Sequence, residues 1–352
     1  MRSVARLRAV ALVACYLGAP GANASTATAP ASAADAVARV VTSVGFETTT
    51  VRDGVGPPLA VGVWYPTTAS AAAQALDGWT QVVAPAGPVA PGRHPLVVVS
   101  HGSGGSLAGH YDTALALARA GFVVAALTHP GDNYRDRSQV TDVAARPRAL
   151  RRLVDHMLRE WPRRAALDSA RVGAFGFSNG GYTALIAVGG VPDLARFRAH
   201  CRAHPSNDDC RILRAGGPRV AQELATRFPR SVWAHDARIR AAVIAAPALG
   251  FAFAPDGLRA VRVPVQLWRA ADDRVLPAPA YADAVRGALP TPPEYHVVPG
   301  AGHFDFLAPC GAAMAARLPD ICASAPGFDR VAFHATFNAA VVAFFERALA
   351  PS

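Results

Sequence analysis

The chain has 352 residues, of which 51% are hydrophobic, enough to build a large core and to exclude disorder over most of its length. Its net charge is +10, but it contains no lysine and its arginines are spread along the sequence, a pattern of coding bias rather than of a binding face. The one basic cluster, Arg146, Arg148, Arg151, Arg152, Arg159, Arg163 and Arg164, reads as the solvated side of a helix, so no nucleic-acid partner is expected.

Residues 1–24 have the form of a secretory signal peptide. Arg2, Arg6 and Arg8 precede an apolar stretch, Ala9 to Ala19, that is too short to cross a bilayer, and Ala22, Asn23 and Ala24 make a small-x-small cleavage site. A secreted or periplasmic location follows. An alternative takes Leu12, Val13, Ala14 and Cys15 as a lipobox, which would make Cys15 a lipid anchor and the protein a membrane-anchored lipoprotein. Residues 25–38, rich in Ala, Ser, Thr and Pro, are a flexible leader. Residues 39–352 then form one domain, with no transmembrane segment and no internal repeats.

Val40 to Val51 and Leu59 to Tyr65 are β-rich and predict an antiparallel hairpin at a sheet edge. Pro95 to Ser100 is a continuous apolar run, as in a strand covered on both faces, and leads into the glycine-rich turn His101, Gly102, Ser103, Gly104, Gly105. A helix over Tyr111 to Ala120, closed by Gly121, a strand over Phe122 to Leu127 and a helix from Pro147 to Trp161 follow. Further strands are predicted at Arg171 to Phe177, Ile239 to Ala245, Val263 to Trp268 and Glu294 to Val298, with helices at Ala278 to Ala288 and Val331 to Leu349. Such alternation specifies an α/β fold, a mostly parallel sheet with helices on both faces, in which sites lie at the carboxyl ends of strands. Residues 192–233 break the rhythm after the helix that follows Phe177. They read as an insertion, either a lid over the site or a surface embellishment.

The segment Gly176 to Gly181, GFSNGG, places Ser178 between two glycines where a buried strand turns into a helix. This is the form of a nucleophile elbow, whose sharp turn admits only small residues two positions either side of the serine. A serine needs a base, and the base a third group to orient it. Asp273, at the exit of a strand and four residues before Pro277, is the acid, with Asp272 the alternative; His303, in the glycine-lined loop Gly300, Ala301, Gly302, His303, is the base. The order Ser178, Asp273, His303 is that of the α/β-hydrolases. His296 lies inside a strand, and His101 and His129 sit at tight strand exits suited to structural hydrogen bonds. Backbone N–H groups of Asn179, at the start of a helix, and of Ser103 are the expected oxyanion donors, with Gly104 as the fallback for the second.

Four cysteines remain after the signal, and in an exported chain they pair; Cys201 with Cys210 and Cys310 with Cys322 are close in sequence and bracket loops. The second bridge would stiffen the chain just after His303. No Cys and His pattern has ligand spacing, so neither metal nor cofactor is expected. Asp305 reads as a surface or hydrogen-bonding acid.

The motifs WYP (Trp64 to Pro66), SHG (Ser100 to Gly102), GFSNGG (Gly176 to Gly181) and AGHF (Ala301 to Phe304) resemble those of exported α/β-hydrolases of the dienelactone-hydrolase-like group, which are similar to platelet-activating-factor acetylhydrolases. The resemblance covers about residues 40 to 350 and implies ester hydrolysis of a small-molecule or lipid substrate. Dienelactone hydrolases proper carry a cysteine where this chain has Ser178, which points away from that particular reaction. The expectation is an exported serine carboxylesterase working through an acyl-enzyme. Acyl transfer, amide hydrolysis with the same residues, and a non-catalytic binding protein on the same fold are the alternatives.

Overall fold

A computed structural model describes residues 43–52, 56–215, 217 and 232–351. The signal peptide, the leader, Cys15 and part of the 192–233 insertion lie outside the described residues.

Strands β1 (Ser43–Val51), β2 (Leu59–Thr67), β3 (Ala72–Leu76), β4 (Trp79–Pro85) and β5 (His94–Ser100) come first. Helix α1 (Tyr111–Arg119), β6 (Val123–Thr128), α2 (Ala145–Arg159), β7 (Leu167–Phe177) and α3 (Asn179–Ala187) follow. The insertion contributes α4 (Leu194–Ala203) and α5 (Asp208–Ala215). Then come β8 (Ile239–Ala245), α6 (Pro255–Leu258), β9 (Val265–Ala270), α7 (Ala282–Ala288), β10 (Glu294–Val298), α8 (Ala312–Arg317), α9 (Pro319–Cys322) and α10 (Arg330–Ala348).

They form a ten-stranded sheet of order β10-β9-β8-β7-β5-β6-β2-β1-β4-β3. The run from β10 to β6 is parallel throughout. Its carboxyl ends therefore lie along one edge, and every loop that leaves those ends can reach its neighbours.

The run HPLVVVS of β5 is buried at every position. Its alternate residues serve opposite faces. Leu96 and Val98 join the core beneath α2 and α3 with Leu150, Leu153 and Leu185, whereas Val97 and Val99 join that beneath α1 and α10 with Leu117, Phe337 and Phe345. Each such side chain contributes about 1.5–3 kcal/mol of burial. The α/β architecture with helices on both faces is therefore as the sequence predicts.

The early strands correct one expectation. β1 and β2 pair antiparallel, Ser43 opposite Thr67 through Val51 opposite Leu59, but not at an edge: β2 also pairs with β6 and β1 with β4. The edge belongs to β3, joined to β4 by Asp77 and Gly78, both at positive φ (46° and 93°). An Asp-Gly pair is a strong hairpin signal, and the alanine-rich strand before it hid it. Helix α7 begins at Ala282 rather than Ala278, since Pro277 and Pro279 hold the preceding chain out of helical geometry.

Candidate active site

Ser178 stands where β7 turns into α3, with φ 56° and ψ −120°. A non-glycine residue keeps such angles only where its surroundings fix them. Its N–H donates to Ala245 O at 2.9 Å, and its carbonyl accepts from the N–H groups of Gly181, Tyr182 and Ala248 at 2.9, 3.2 and 2.9 Å. The flanking glycines are required by contact. A Cβ on Gly180 would fall 1.9 Å from Ser100 O, and one on Gly176 would fall 2.1 Å from Gly180 O.

His303 begins the short turn His303–Phe306 after β10. Its Nε2 lies 3.0 Å from Ser178 Oγ and its Nδ1 2.8 Å from Asp273 Oδ2. All three side chains are buried. The other oxygen of Asp273 accepts the N–H groups of Val275 and Leu276 at 2.9 and 2.7 Å, which aims Oδ2 at the imidazole. Burial pushes the Asp273 carboxyl up, but the His303 hydrogen bond and charge, with the two amides, outweigh it and hold the group below its usual value. An ionised Asp273 then fixes the proton on Nδ1 and leaves Nε2 to accept the hydroxyl proton of Ser178. Asp272 is exposed and only its backbone takes part, donating to Ala301 O.

The three histidines weighed against His303 are bound elsewhere. His101 Nε2 accepts the N–H of His129 at 3.0 Å while Nδ1 meets Gly102 O at 2.6 Å, and His129 Nε2 meets Ser100 Oγ at 2.8 Å. His296 meets Glu294 Oε1 and stacks on Trp268.

In the glycine-rich turn, the Gly104 N–H donates to Asp132 Oδ1 at 3.0 Å and the Gly105 N–H to Gly102 O at 3.1 Å. Gly104, the fallback donor, is thus occupied. The N–H groups of Ser103 and Asn179 have no hydrogen-bond partner among the described residues, and both residues border the space beside Ser178.

Asp132 escaped the sequence reading, and Arg146 was misplaced by it. Arg146 is not part of a solvated face: only 4% exposed, it donates from Nη1 to Asp132 Oδ2 at 3.1 Å and from Nη2 to His101 O. The turn after β6, His129 to Asn133, leaves a carboxyl strand end beside the site, and that placement was the available signal for Asp132.

A cavity of about 510 Å³ opens above Ser178, within the ordinary range for small-molecule sites. Phe177, Leu276, Phe304 and Leu307 wall it from the core side, and Asp209 and Ile212 of α5 from the insertion. Asp209 Oδ2 is buried without a hydrogen-bond partner among the described residues, and burial pushes its carboxyl up to about 6. Bridges join Cys201 to Cys210, between α4 and α5, and Cys310 to Cys322. Asp305 is a buried hydrogen-bonding acid: it accepts from Gly302 N–H, Ser324 Oγ and Arg330 Nε. Among the described residues no helix is long and apolar enough to cross a membrane.

Comparison with solved structures finds a ferulic acid esterase from Streptomyces cinnamoneus, superposing with a TM-score of 0.57 over 89% of this chain and 92% of that one, at 21% sequence identity. The chain has the α/β-hydrolase fold. No protein-family model matches it, and no curated protein does.

Proposed function

We propose that this chain is an exported serine hydrolase that cleaves carboxylic esters through an acyl-enzyme. The observation that carries the reading is the hydrogen-bonded line from Ser178 Oγ through the His303 imidazole to Asp273, with contacts of 3.0 and 2.8 Å, whose first two members line a cavity.

Ser178 Oγ attacks the ester carbonyl while His303 Nε2 takes its proton, and Asp273 steadies the imidazolium. The N–H groups of Ser103 and Asn179 receive the carbonyl oxygen as it becomes negative. Collapse expels the alcohol, protonated by His303, and leaves Ser178 acylated. Water, deprotonated by His303, then attacks the acyl carbon, and the acid departs as Ser178 regains its proton. The fold shared with a ferulic acid esterase supports an ester as the substrate, as does the resemblance to dienelactone-hydrolase-like enzymes. The apolar walls of the cavity suit an apolar acyl or alcohol group, small-molecule or lipid. Two disulfides support an exported location.

A fluorophosphonate probe and a chain-length series of nitrophenyl esters, applied to the wild type and to Ser178→Ala, test this. The wild type should be labelled and active and Ser178→Ala neither. Equal labelling and turnover in both would refute the mechanism, and strong labelling with no ester turned over would redirect the reading to another acyl substrate.

A further inference from the structure

An oxyanion site built from two loops needs the loops held in register, because both donors must reach one oxygen at about 2.7–3.1 Å. The donors assigned above leave different strands, Ser103 after β5 and Asn179 after β7. A single carboxylate grips both residues. Asp132 Oδ1 accepts from Ser103 Oγ at 2.7 Å and from Gly104 N–H at 3.0 Å, while Oδ2 accepts from Asn179 Nδ2 at 3.1 Å and from Arg146 Nη1 at 3.1 Å. Every one of these bonds uses a side chain or the Gly104 amide, so the N–H groups of Ser103 and Asn179 are left for a ligand.

Asp132 is 2% exposed, and burying a carboxylate is costly unless a cation and several donors meet it. Arg146 supplies the cation. Burial draws its guanidinium down to about 10, which leaves it protonated at neutral pH. Its second arm donates to His101 O, so the pair also fixes the start of the turn that carries Ser103. Arg137 Nε stands 3.8 Å from Asp132 Oδ1 on the solvent side.

We propose that Asp132, held by Arg146, is a positioning residue that sets the Ser103 and Asn179 amides toward a common oxyanion. The proposal rests on the acyl-enzyme reading. It requires no contact between Asp132 and substrate: the carboxylate acts only through the two residues that it holds.

Asp132→Asn keeps the size of the side chain, and with its carbonyl oxygen kept toward Ser103 Oγ and the Gly104 N–H its NH₂ group faces the donors of Asn179 and Arg146, so both links at that position are lost. Its kcat should fall about 100-fold with KM little changed, because the interaction weakened exists only in the transition state. The inhibition constant of a trifluoromethyl ketone, whose hemiketal oxygen occupies the oxyanion position, should rise in step with the loss of kcat/KM. Asn179→Ala keeps the backbone amide and the Asp132–Arg146 pair, and should move both quantities in parallel by about 10-fold; it carries the test if Asp132→Asn does not fold. A folded variant that retains kcat and inhibitor affinity within two-fold, or that changes KM alone, overturns the positioning role while leaving the acyl-enzyme reading intact. Full ester turnover by Ser178→Ala would overturn both.

Discussion

Arg330 Nε donates to Asp305 Oδ1 at 2.9 Å, and through this buried pair the loop that carries His303 is fastened to the Cys310–Cys322 loop. Asp305 accepts the N–H of Gly302, the residue before the imidazole, at 2.7 Å, and the Arg330 guanidinium binds the carbonyls of Ile321 and Ala323. The loop of His303 is thus braced by an ion pair as well as by a covalent bridge.

The two braces should separate on mutation. Replacing Cys310 and Cys322 by serine removes a bridge across 12 residues, worth on the order of 3 kcal/mol in the unfolded state, and should lower Tm while kcat stays within about three-fold. Arg330→Met strands the buried Asp305 carboxylate, at a typical cost of about 3–5 kcal/mol, and should lower both Tm and kcat. Melting curves and ester kinetics on both variants check this. Loss of activity in the cysteine variant with Arg330→Met still active would reverse the assignment.

Asp273→Asn should leave the fold intact and nearly abolish turnover. The Asn carbonyl oxygen can keep the bonds from the Val275 and Leu276 amides, which turns its NH₂ toward His303 Nδ1. The imidazole must then present Nδ1 as acceptor and Nε2 as donor, so it can no longer take the Ser178 proton. A fall in kcat of about 10⁴-fold is expected at neutral pH. Retention of a tenth of wild-type kcat would show that Asp273 does not set the tautomer.

Gly180→Ala tests the elbow without touching a functional side chain. The new Cβ would meet Ser100 O at 1.9 Å, a backbone atom, so β5 or α3 must shift to admit it. Overpacking against backbone costs about 1–3 kcal/mol or more, and any shift that relieves it moves Ser178. The expected result is a lower Tm together with loss of fluorophosphonate labelling; wild-type labelling would mean that the elbow relaxes around the methyl.

What the sequence made legible follows the range of each interaction. Ser178, Asp273 and His303 could be read because each sits in a short local pattern at a strand end, and the structure brings them within hydrogen-bond distance. The doubly covered β5 was legible in its unbroken apolar run. Asp132 and Arg146 were not, because a buried ion pair 14 residues apart leaves no periodic mark: Arg146 lies among other arginines, and only packing distinguishes it from exposed Arg148. The hairpin of β3 and β4 was obscured for a different reason, since its exposed alanines make a poor strand pattern that pairing overrides.

Stability should fall steadily as pH drops below about 6.5. Burial holds His101, His110 and His129 below the ordinary histidine value, His110 at about 4, so the unfolded chain binds protons at these rings that the folded chain refuses. Their contribution is present above pH 6.5 and is lost on acidification, at about 1.4 kcal/mol per pH unit for each ring. Asp209 acts in the opposite sense: with a folded value of about 6 it keeps a proton that the unfolded chain releases near pH 4, so it favours folding at low pH and disfavours it as pH rises through 6. Three rings outweigh one carboxyl between pH 4 and 6.5, and Tm should therefore decline across that window in the wild type. Asp209→Asn should raise Tm at pH 8 and leave it unchanged at pH 4. A wild-type Tm that is flat from pH 7 to pH 5 would mean that the three rings are not held neutral, and equal Tm for Asp209→Asn and wild type at pH 8 would mean that Asp209 ionises without penalty.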